Sequence, residues 1–561
     1  MLPDNYFIAS QFSMLSKLMD IHGDNSFKSK SYSIAAFNIE KLPVQLSDLD
    51  ASEVYIQKGI GDSLGKKILE IISKGYLPAL KDYIDKTPPG ILEMLSIKGL
   101  GPKKIATIWK EMEIESPGEL LYACNENRLA RFKGFGEKTQ QSIQESIAFY
   151  QKSLGSHLYA VVHSYASQMN SILNNAFKEE KFEPTGAFKR QLPVIDSLDW
   201  VTTVTLTRLQ EFFKEHKYEE EDINSGSASF RSPEKILLKF YSRPEAIFYN
   251  TLVETSCSEE FLEGLTLHST PETPIATSEE NVFELIGLPF IPAYLREKAE
   301  TIKAAPAFSN RRIIEPSDIR GIIHSHSTWS DGSQTLEEMA KACIEQGYEY
   351  LVISDHSKAA AYANGLTEDR IRQQHIQIDE LNKKYAPFQI FKSIESDILG
   401  DGSLDYSSDL LSIFDLVIAS VHSNLKMQQE KAMSRLHAAI ANPYTTILGH
   451  MTGRLLLSRP GYPIDHKEII DACAEHHVVI EINANPRRLD MDWSWINYAL
   501  EKKVLLSIDP DAHEISEFDN CRYGVLVAQK GGLTKTSNLS SFSRDELIAF
   551  LAKNKAAKKL A

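Results

Sequence analysis

No run of eighteen apolar residues occurs in the chain, which excludes a helical membrane span. The opening MLPDNYFIASQF has no basic stretch ahead of an apolar one, so a cytoplasmic setting without a secretory signal is expected. Cysteine is sparse. Cys124, Cys257, Cys343, Cys473 and Cys521 form no CxxC pair, which excludes a thiolate zinc knuckle and fits free thiols in a reducing compartment. Positive charge is short as well, with 61 Lys+Arg against 76 Asp+Glu. A nucleic-acid backbone rewards positive charge, so this balance argues against such a partner until the charge is located. Residues 1–150 carry 18 basic and 19 acidic side chains, so nearly the whole deficit lies downstream, where bound cations could offset part of it. Eleven of the 16 histidines follow residue 320, in the same acidic part.

A chain of 561 residues with 42% hydrophobic and 24% charged content is too long for one core and implies a multidomain globular protein. Its first 150 residues contain an internal repeat: KGIGDSLGKKILEII at 58–72, KGLGPKKIATIWKEM at 98–112 and KGFGEKTQQSIQESI at 133–147. Each reads Lys-Gly-apolar-Gly, a polar start, then a helix with apolar residues at helical spacing. One Gly-x-Gly is a weak signal; three beside lysine predict helix-hairpin-helix turns. Such turns bare backbone N–H groups at a helix start and grip a phosphate without reading bases. The expected DNA contacts are Gly59, Gly61 and Lys67, Gly99, Gly101 and Lys103, and Gly134, Gly136 and Lys138.

FSMLSKLMDIHGDNSFKSKSYSIAAFNIEKL, followed by MLSIKGLGPKKIATIWKEM and RFKGFGEKTQQSI, resembles the amino-terminal and fingers regions of bacterial family X DNA polymerases. In that family a lysine of the first hairpin helix can open abasic sugars as a Schiff base. The matching position is Lys67, read here as a phosphate contact. The resemblance continues into PTGAFKRQLPVIDSLDWVTTV, where a palm should hold nucleotide and metal. The Gly186–Arg190 turn keeps Lys189 and Arg190 as phosphate-binding candidates but lacks the family's serine. The paired aspartates align with Ser197 and Asp199, and the third falls near Leu238. Asp196 would join Asp199 only through a bulge, since residues three apart on a strand face opposite sides. The thumb turn also fails to match ETSCSEE. Two-metal transfer needs converging carboxylates, so palm magnesium and nucleotide addition are expected to be lost, with DNA contact or scaffolding left.

Downstream, IRGIIHSH, YLVISDH, FQIFKSIESDIL, FDLVIASVH, TTILGH, VVIEIN and VLLSIDPDAH alternate with helical stretches. This βα rhythm predicts a parallel barrel, closed or nearly so, whose carboxyl strand ends share one rim. Those ends carry His324, His326, His356, Glu395, His422, His450, Asp511 and His513, and the loop STWSDG adds Asp331. Mixed imidazole and carboxylate suit zinc, manganese or iron better than calcium or magnesium. Arg454, Arg487, Arg488 and Lys358 also follow strand ends and are candidates for holding a phosphate.

This pattern resembles the PHP (polymerase and histidinol phosphatase) domain, and all nine ligand positions of that family are filled. The resemblance implies up to three ions, manganese or zinc. His324, His326, Glu395 and Asp511 would hold the first; Glu395, His422 and His450 the second; Asp331, His356 and His513 the third. The family's usual Asp-Leu ahead of the first histidine is Ile322-Ile323 here, which removes an acid behind the ligands. The implied architecture combines α+β and α/β domains. Residues 1–80 form a lyase-like domain, 81–150 fingers, 151–230 a degenerate palm, 231–315 a thumb and linker, and 316–561 a distorted (β/α)7 PHP barrel. The implied activity is metal-dependent 3′–5′ exonuclease or 3′-end processing of gapped, nicked or 3′-damaged DNA, with His324, His326, Glu395 and Asp511 at the reaction. The alternatives are a gap-filling polymerase with an atypical palm, a non-catalytic DNA scaffold and a small-molecule phosphatase.

Overall fold

The computed structural model describes residues 3–125, 129–132, 134–153, 155–266, 275–308, 311–457 and 460–558. Two compact units emerge, Met1–Leu154 and Gly155–Ala561. Among the described residues no helix is long and apolar enough to cross a membrane.

The first unit is helical. Helix Asn5–His22 starts where the Asp4 carboxylate accepts the Phe7 N–H at 2.7 Å and ends at Gly23, whose φ of 79° only glycine adopts easily. Its buried stripe of Ile8, Phe12, Leu15 and Leu18 recurs at helical spacing and packs against helix Ser26–Glu40. The three hairpins share one build. Gly59, Gly99 and Gly134 have φ of 85°, 86° and 94°. The apolar residues that follow, Ile60, Leu100 and Phe135, are buried anchors. Helices Asp62–Lys74, Pro102–Lys110 and Glu137–Ser153 begin directly after Gly61, Gly101 and Gly136. A Cβ on any of these second glycines would meet nothing within 4 Å. Packing does not demand glycine there, and the bare amides at the helix start remain open to a ligand.

The second unit opens with a five-stranded sheet in the order Phe182–Thr185, Leu198–Thr202, Leu237–Ser242, Ser227–Arg231, Glu219–Asn224. Leu198–Thr202 runs parallel to Leu237–Ser242, and the other pairs are antiparallel. Trp200, Phe213, Phe230 and Phe240 fill its core. After a helical stretch come parallel strands at every position the apolar runs predict. Their pairing differs from a single barrel ladder. Gly321–Ser325, Tyr350–Ile353 and Gln389–Lys392 form a three-stranded sheet; Glu395–Asp397, Ile418–Ser420, Ile447–Leu448, Val479–Asn483 and Leu506–Asp509 form a five-stranded one. The run FQIFKSIESDIL contributes a strand to each. The physical reason lies at the seams. His324 (φ 61°) and Asp511 (φ 52°) leave extended geometry where the first and last of these strands approach each other, and within the three-stranded sheet the register of Gly321–Ser325 against Tyr350–Ile353 shifts between Ile322 and Ser325. Isolated bridges still cross there, with hydrogen bonds that include His326 N–H to the Ala512 carbonyl at 2.8 Å and Glu395 N–H to the Ser354 carbonyl at 3.2 Å.

Candidate metal centre

All nine candidate ligands converge at the carboxyl ends of these strands. His324, His326, Glu395 and His450 are almost wholly buried, whereas the Asp331 and His513 side chains are 33% and 37% exposed and mark the open side. Three groups place one ligand atom per residue within 4.8 Å of each other: His324, His326 and Asp511; His356, Glu395 and His422; and His326, Asp331, His356 and His513. The expected first and third sets are thus brought together in large part, with His326 and His356 each reaching a second group. His450 joins through Glu395, its Nε2 lying 3.0 Å from Oε1.

The donor set fits a metal. Ligand atoms about 2.0–2.1 Å from one tetrahedral ion lie roughly 3.3 Å apart. Here His324 Nε2 is 3.3 Å from Glu395 Oε1 and 3.5 Å from Asp511 Oδ1, and His326 Nε2 is 3.1 Å from Asp511 Oδ1. His422 Nε2 is 3.1 Å from Glu395 Oε1, and His513 Nε2 is 3.6 Å from Asp331 Oδ1. His324 Nε2 is buried without a hydrogen-bond partner among the described residues. An orphaned imidazole nitrogen aimed at two carboxylates is poorly placed unless a cation completes it.

Burial acts to raise the Glu395 carboxyl, but His422, His324 and His356 outweigh it and hold the group well below the usual carboxylate range. Asp511 is likewise held low, against burial, by His324 and His326. Burial pushes His326 down to about 3, reinforced by His513 and His356, so the neutral imidazole with one free lone pair is favoured. His422 rises to about 10 and His513 to about 9 because, against burial, the carboxylates favour a proton. Protons and metal compete for this set, and a bound cation replaces the charge they supply.

Two carboxylates behind the ligands escape the sequence reading. Glu481 accepts from His324 Nδ1. Asp397 lies 2.9 Å from His422 Nδ1. Both set which nitrogen faces the cluster. A third, Asp355, pins the Ser327–Ser330 turn through the Ser327 N–H (2.8 Å) and is in turn held by Gln374 (2.6 Å). The signal for Glu481 is present in VVIEIN: it shares a strand face with Asn483, and a lone acid inside a buried strand needs a partner.

The basic candidates divide. Arg454 is engaged internally, by Asp492 at 2.7 Å and by the carbonyls of Arg488 and Leu489, so it is not free to take a phosphate. Arg487 is exposed, and Lys358 rests over the Tyr406 ring at 5.3 Å. In the palm, Lys189 pairs with Glu279 at 2.7 Å and Arg190 with Glu297 at 3.1 Å, so both expected phosphate binders are already neutralised. Asp199 is half-buried, and desolvation pushes its carboxyl up, partly offset by Ser197 and Lys239. The Ser197 hydroxyl donates to it at 2.6 Å, and Lys239 stands opposite it on the neighbouring strand. Leu238, at the third position, is fully buried beside Leu198. The ladder through Leu198–Thr202 is continuous and Asp196 turns to Ser156, so no bulge joins the two aspartates. Among the described residues, groups of three or more metal-holding side chains occur only between His324 and His513. In the first unit Lys67 is half-buried, and Lys103 and Lys138 are exposed.

Residues 3–77 match a family described as Helix-hairpin-helix domain, and residues 91–148 one described as SAM-like Helix-hairpin-helix tandem. The chain is 32% identical over 560 residues to the DNA polymerase/3′-5′ exonuclease PolX of Bacillus subtilis, covering 96% of this chain and 97% of that protein. Over 223 residues it is 26% identical to a probable phosphatase of Thermoanaerobacter sp., covering 38% of this chain and 86% of the relative. Over 170 residues it is 28% identical to the probable phosphatase YcdX of Escherichia coli O81, covering 29% and 62%.

Proposed function

Since the chain belongs to the family X DNA polymerases that carry a PHP domain, we propose that its working centre is the PHP cluster, which hydrolyses DNA phosphodiesters from the 3′ end, and that the palm no longer polymerises. What supports this reading is that eight of the nine candidate residues fall into three groups at ligand-like spacing, with His450 beside Glu395, in a cluster buried except at Asp331 and His513. Bound manganese or zinc would supply hydroxide near neutral pH and a clamp for phosphate oxygens. The chain's own part is orientation. Glu481 and Asp397 aim His324 and His422, Glu395 stands between His324, His356, His422 and His450, and Asp331 and His513 form the side open to substrate. We read the two parallel sheets as halves of a distorted seven-stranded barrel, and the boundaries near 80, 150, 230 and 315 as those of the domains.

The hairpins would hold gapped or nicked duplex through phosphates alone. Against polymerisation stand the neutralised Lys189 and Arg190, the half-buried Asp199 facing Lys239, and Leu238 at the third position. Digestion of 3′-labelled gapped DNA with manganese, wild type against Asp511→Ala, tests the hydrolytic centre. A loss of about a hundredfold or more is expected; equal rates would remove the cluster from the reaction. Primer extension with a labelled nucleotide tests the palm, and template-directed addition would refute its retirement. The likeness to probable phosphatases favours one second reading, hydrolysis of small phosphomonoesters, which p-nitrophenyl phosphate would detect.

A further inference from the structure

The cluster is built of imidazoles and carboxylates, yet a phosphodiester brings its own negative charge and needs a cationic donor beside the metals. Among the described residues one guanidinium lies within ion-pair range of the nine: Arg488, whose Nε is 3.5 Å from Asp511 Oδ2. Its side chain is only 19% exposed, and its two terminal nitrogens have no hydrogen-bond partner among the described residues. The loop that presents it is firmly braced. The Arg488 N–H donates to the Asn485 carbonyl at 2.8 Å, and Arg454 Nε donates to the Arg488 carbonyl at 2.9 Å. Arg454 also holds the Leu489 carbonyl and pairs with Asp492 at 2.7 Å, while the Asp490 carboxylate takes the Thr452 N–H at 2.9 Å. Arg454 is thus turned into the loop and Arg488 toward the ligands.

We propose that Arg488 is the phosphate-holding residue of this centre and that Arg454 is its positioning residue, acting only through the 485–492 loop. The inference rests on the PHP cluster being the working centre. A guanidinium is always charged, and its planar fork matches two oxygens of one phosphate. With Nε directed at Asp511, the fork is fixed relative to a ligand and the terminal pair is left for substrate. Loop charge alone does not distinguish Arg487 from Arg488. The ion pair with Asp511 does.

Isothermal titration of the full-length, manganese-loaded protein with inorganic phosphate tests the assignment, alongside manganese titration of the stripped protein. Arg488→Ala is expected to weaken phosphate binding by about tenfold or more while manganese affinity stays within about twofold. Arg488→Lys, which keeps charge and bulk, is expected to fall between. Added guanidinium ion should restore phosphate binding to Arg488→Ala but not to Arg454→Ala, because the second variant loses loop geometry rather than a contact. Unchanged phosphate affinity in both Arg488 variants would overturn the proposal. So would manganese affinity that rises in Arg488→Ala while phosphate affinity holds, for Arg488 would then be only a countercharge to Asp511. If the wild type cleaves no phosphodiester, the nuclease reading fails, and the phosphate titration still decides the role of Arg488.

Discussion

One carboxylate, Glu481, accepts from His324 Nδ1 with one oxygen and from the His450 backbone N–H with the other, at 2.6 Å. Asn483 Nδ2 adds a third donor at 3.2 Å. Against burial, Glu481, Asp511 and Glu395 favour a proton on this ring, and with Nδ1 held by Glu481 it is Nε2, between Glu395 and Asp511, that would give up its proton to a cation. Glu481→Gln keeps the volume but can no longer hold imidazole and amide donors with two equivalent oxygens. Metal affinity should fall by about 10–100-fold, read by titrating stripped protein with manganese while the fold is followed by circular dichroism. Unaltered affinity in a folded variant would reduce Glu481 to packing. Eight of the nine candidate ligands were legible because each is an ionisable residue at the end of an apolar run, a place where chemistry collects in α/β folds, and Asp331 stands in the loop just after the first of them. Glu481 and Asp397 were not, since their role is a contact with a histidine 157 or 25 residues away.

Within each hairpin the two glycines have different work, and single substitutions separate them. Gly99 has φ 86°, so Gly99→Ala should cost about 1–2 kcal/mol of left-handed strain and lower the melting temperature. Gly101 is extended, and an added Cβ meets nothing within 4 Å, so Gly101→Ala should leave stability near wild type. Gly101→Ala should nevertheless weaken duplex binding, since the methyl stands beside the bared amides; equal affinity would mean this turn does not touch DNA. Lys-Gly-apolar-Gly was readable because turn, anchor and helix start lie within four residues. The broken sheet was not, because it depends on His324 and Asp511 taking left-handed backbone, which no propensity signals. Helix Glu368–Tyr385 offers a pH test away from the ligands. It buries His375 against Phe414, and burial, aided by Lys392 and Arg372 and opposed by Asp379, lowers this imidazole to about 4. The unfolded chain takes up this proton first, near the ordinary imidazole value of about 6.5. Stability should therefore drop as pH falls from about 6.5 toward 4. His375→Phe should remove up to about 1.4 kcal/mol per pH unit of that slope, measured by urea denaturation across the window.

At the scale of the molecule, the five-stranded sheet proposed as a retired palm belongs to the same compact unit as the candidate metal ligands, Gly155–Ala561. Lys530, buried at the end of helix Cys521–Lys530, donates to the Arg190 carbonyl and pairs with Glu297, both at 2.7 Å, and lies 4.6 Å from the Trp493 ring centre. Burial lowers its pKa to about 8 despite Glu297, so the ammonium is tolerated only while those partners surround it. The Ile314 N–H is taken by the Leu533 carbonyl, and the Ile314 carbonyl by Gln529. The Gly186–Arg190 turn is thereby tied to the half that carries the candidate ligands. Cutting the chain at two places therefore has different consequences. A fragment of residues 155–561 should keep its fold and hydrolyse bis(p-nitrophenyl) phosphate as the full chain does. Having lost the hairpins, it should bind gapped duplex about tenfold or more weakly, with a flatter dependence on salt. A fragment of residues 316–561 strips Lys530 of Glu297 and the Arg190 carbonyl and exposes the surface around them. It should melt several degrees lower or aggregate, as differential scanning fluorimetry and gel filtration would show. Equal stability of the two fragments would mean that the palm braces nothing, and undiminished DNA affinity of 155–561 would place the duplex-binding surface outside the hairpins.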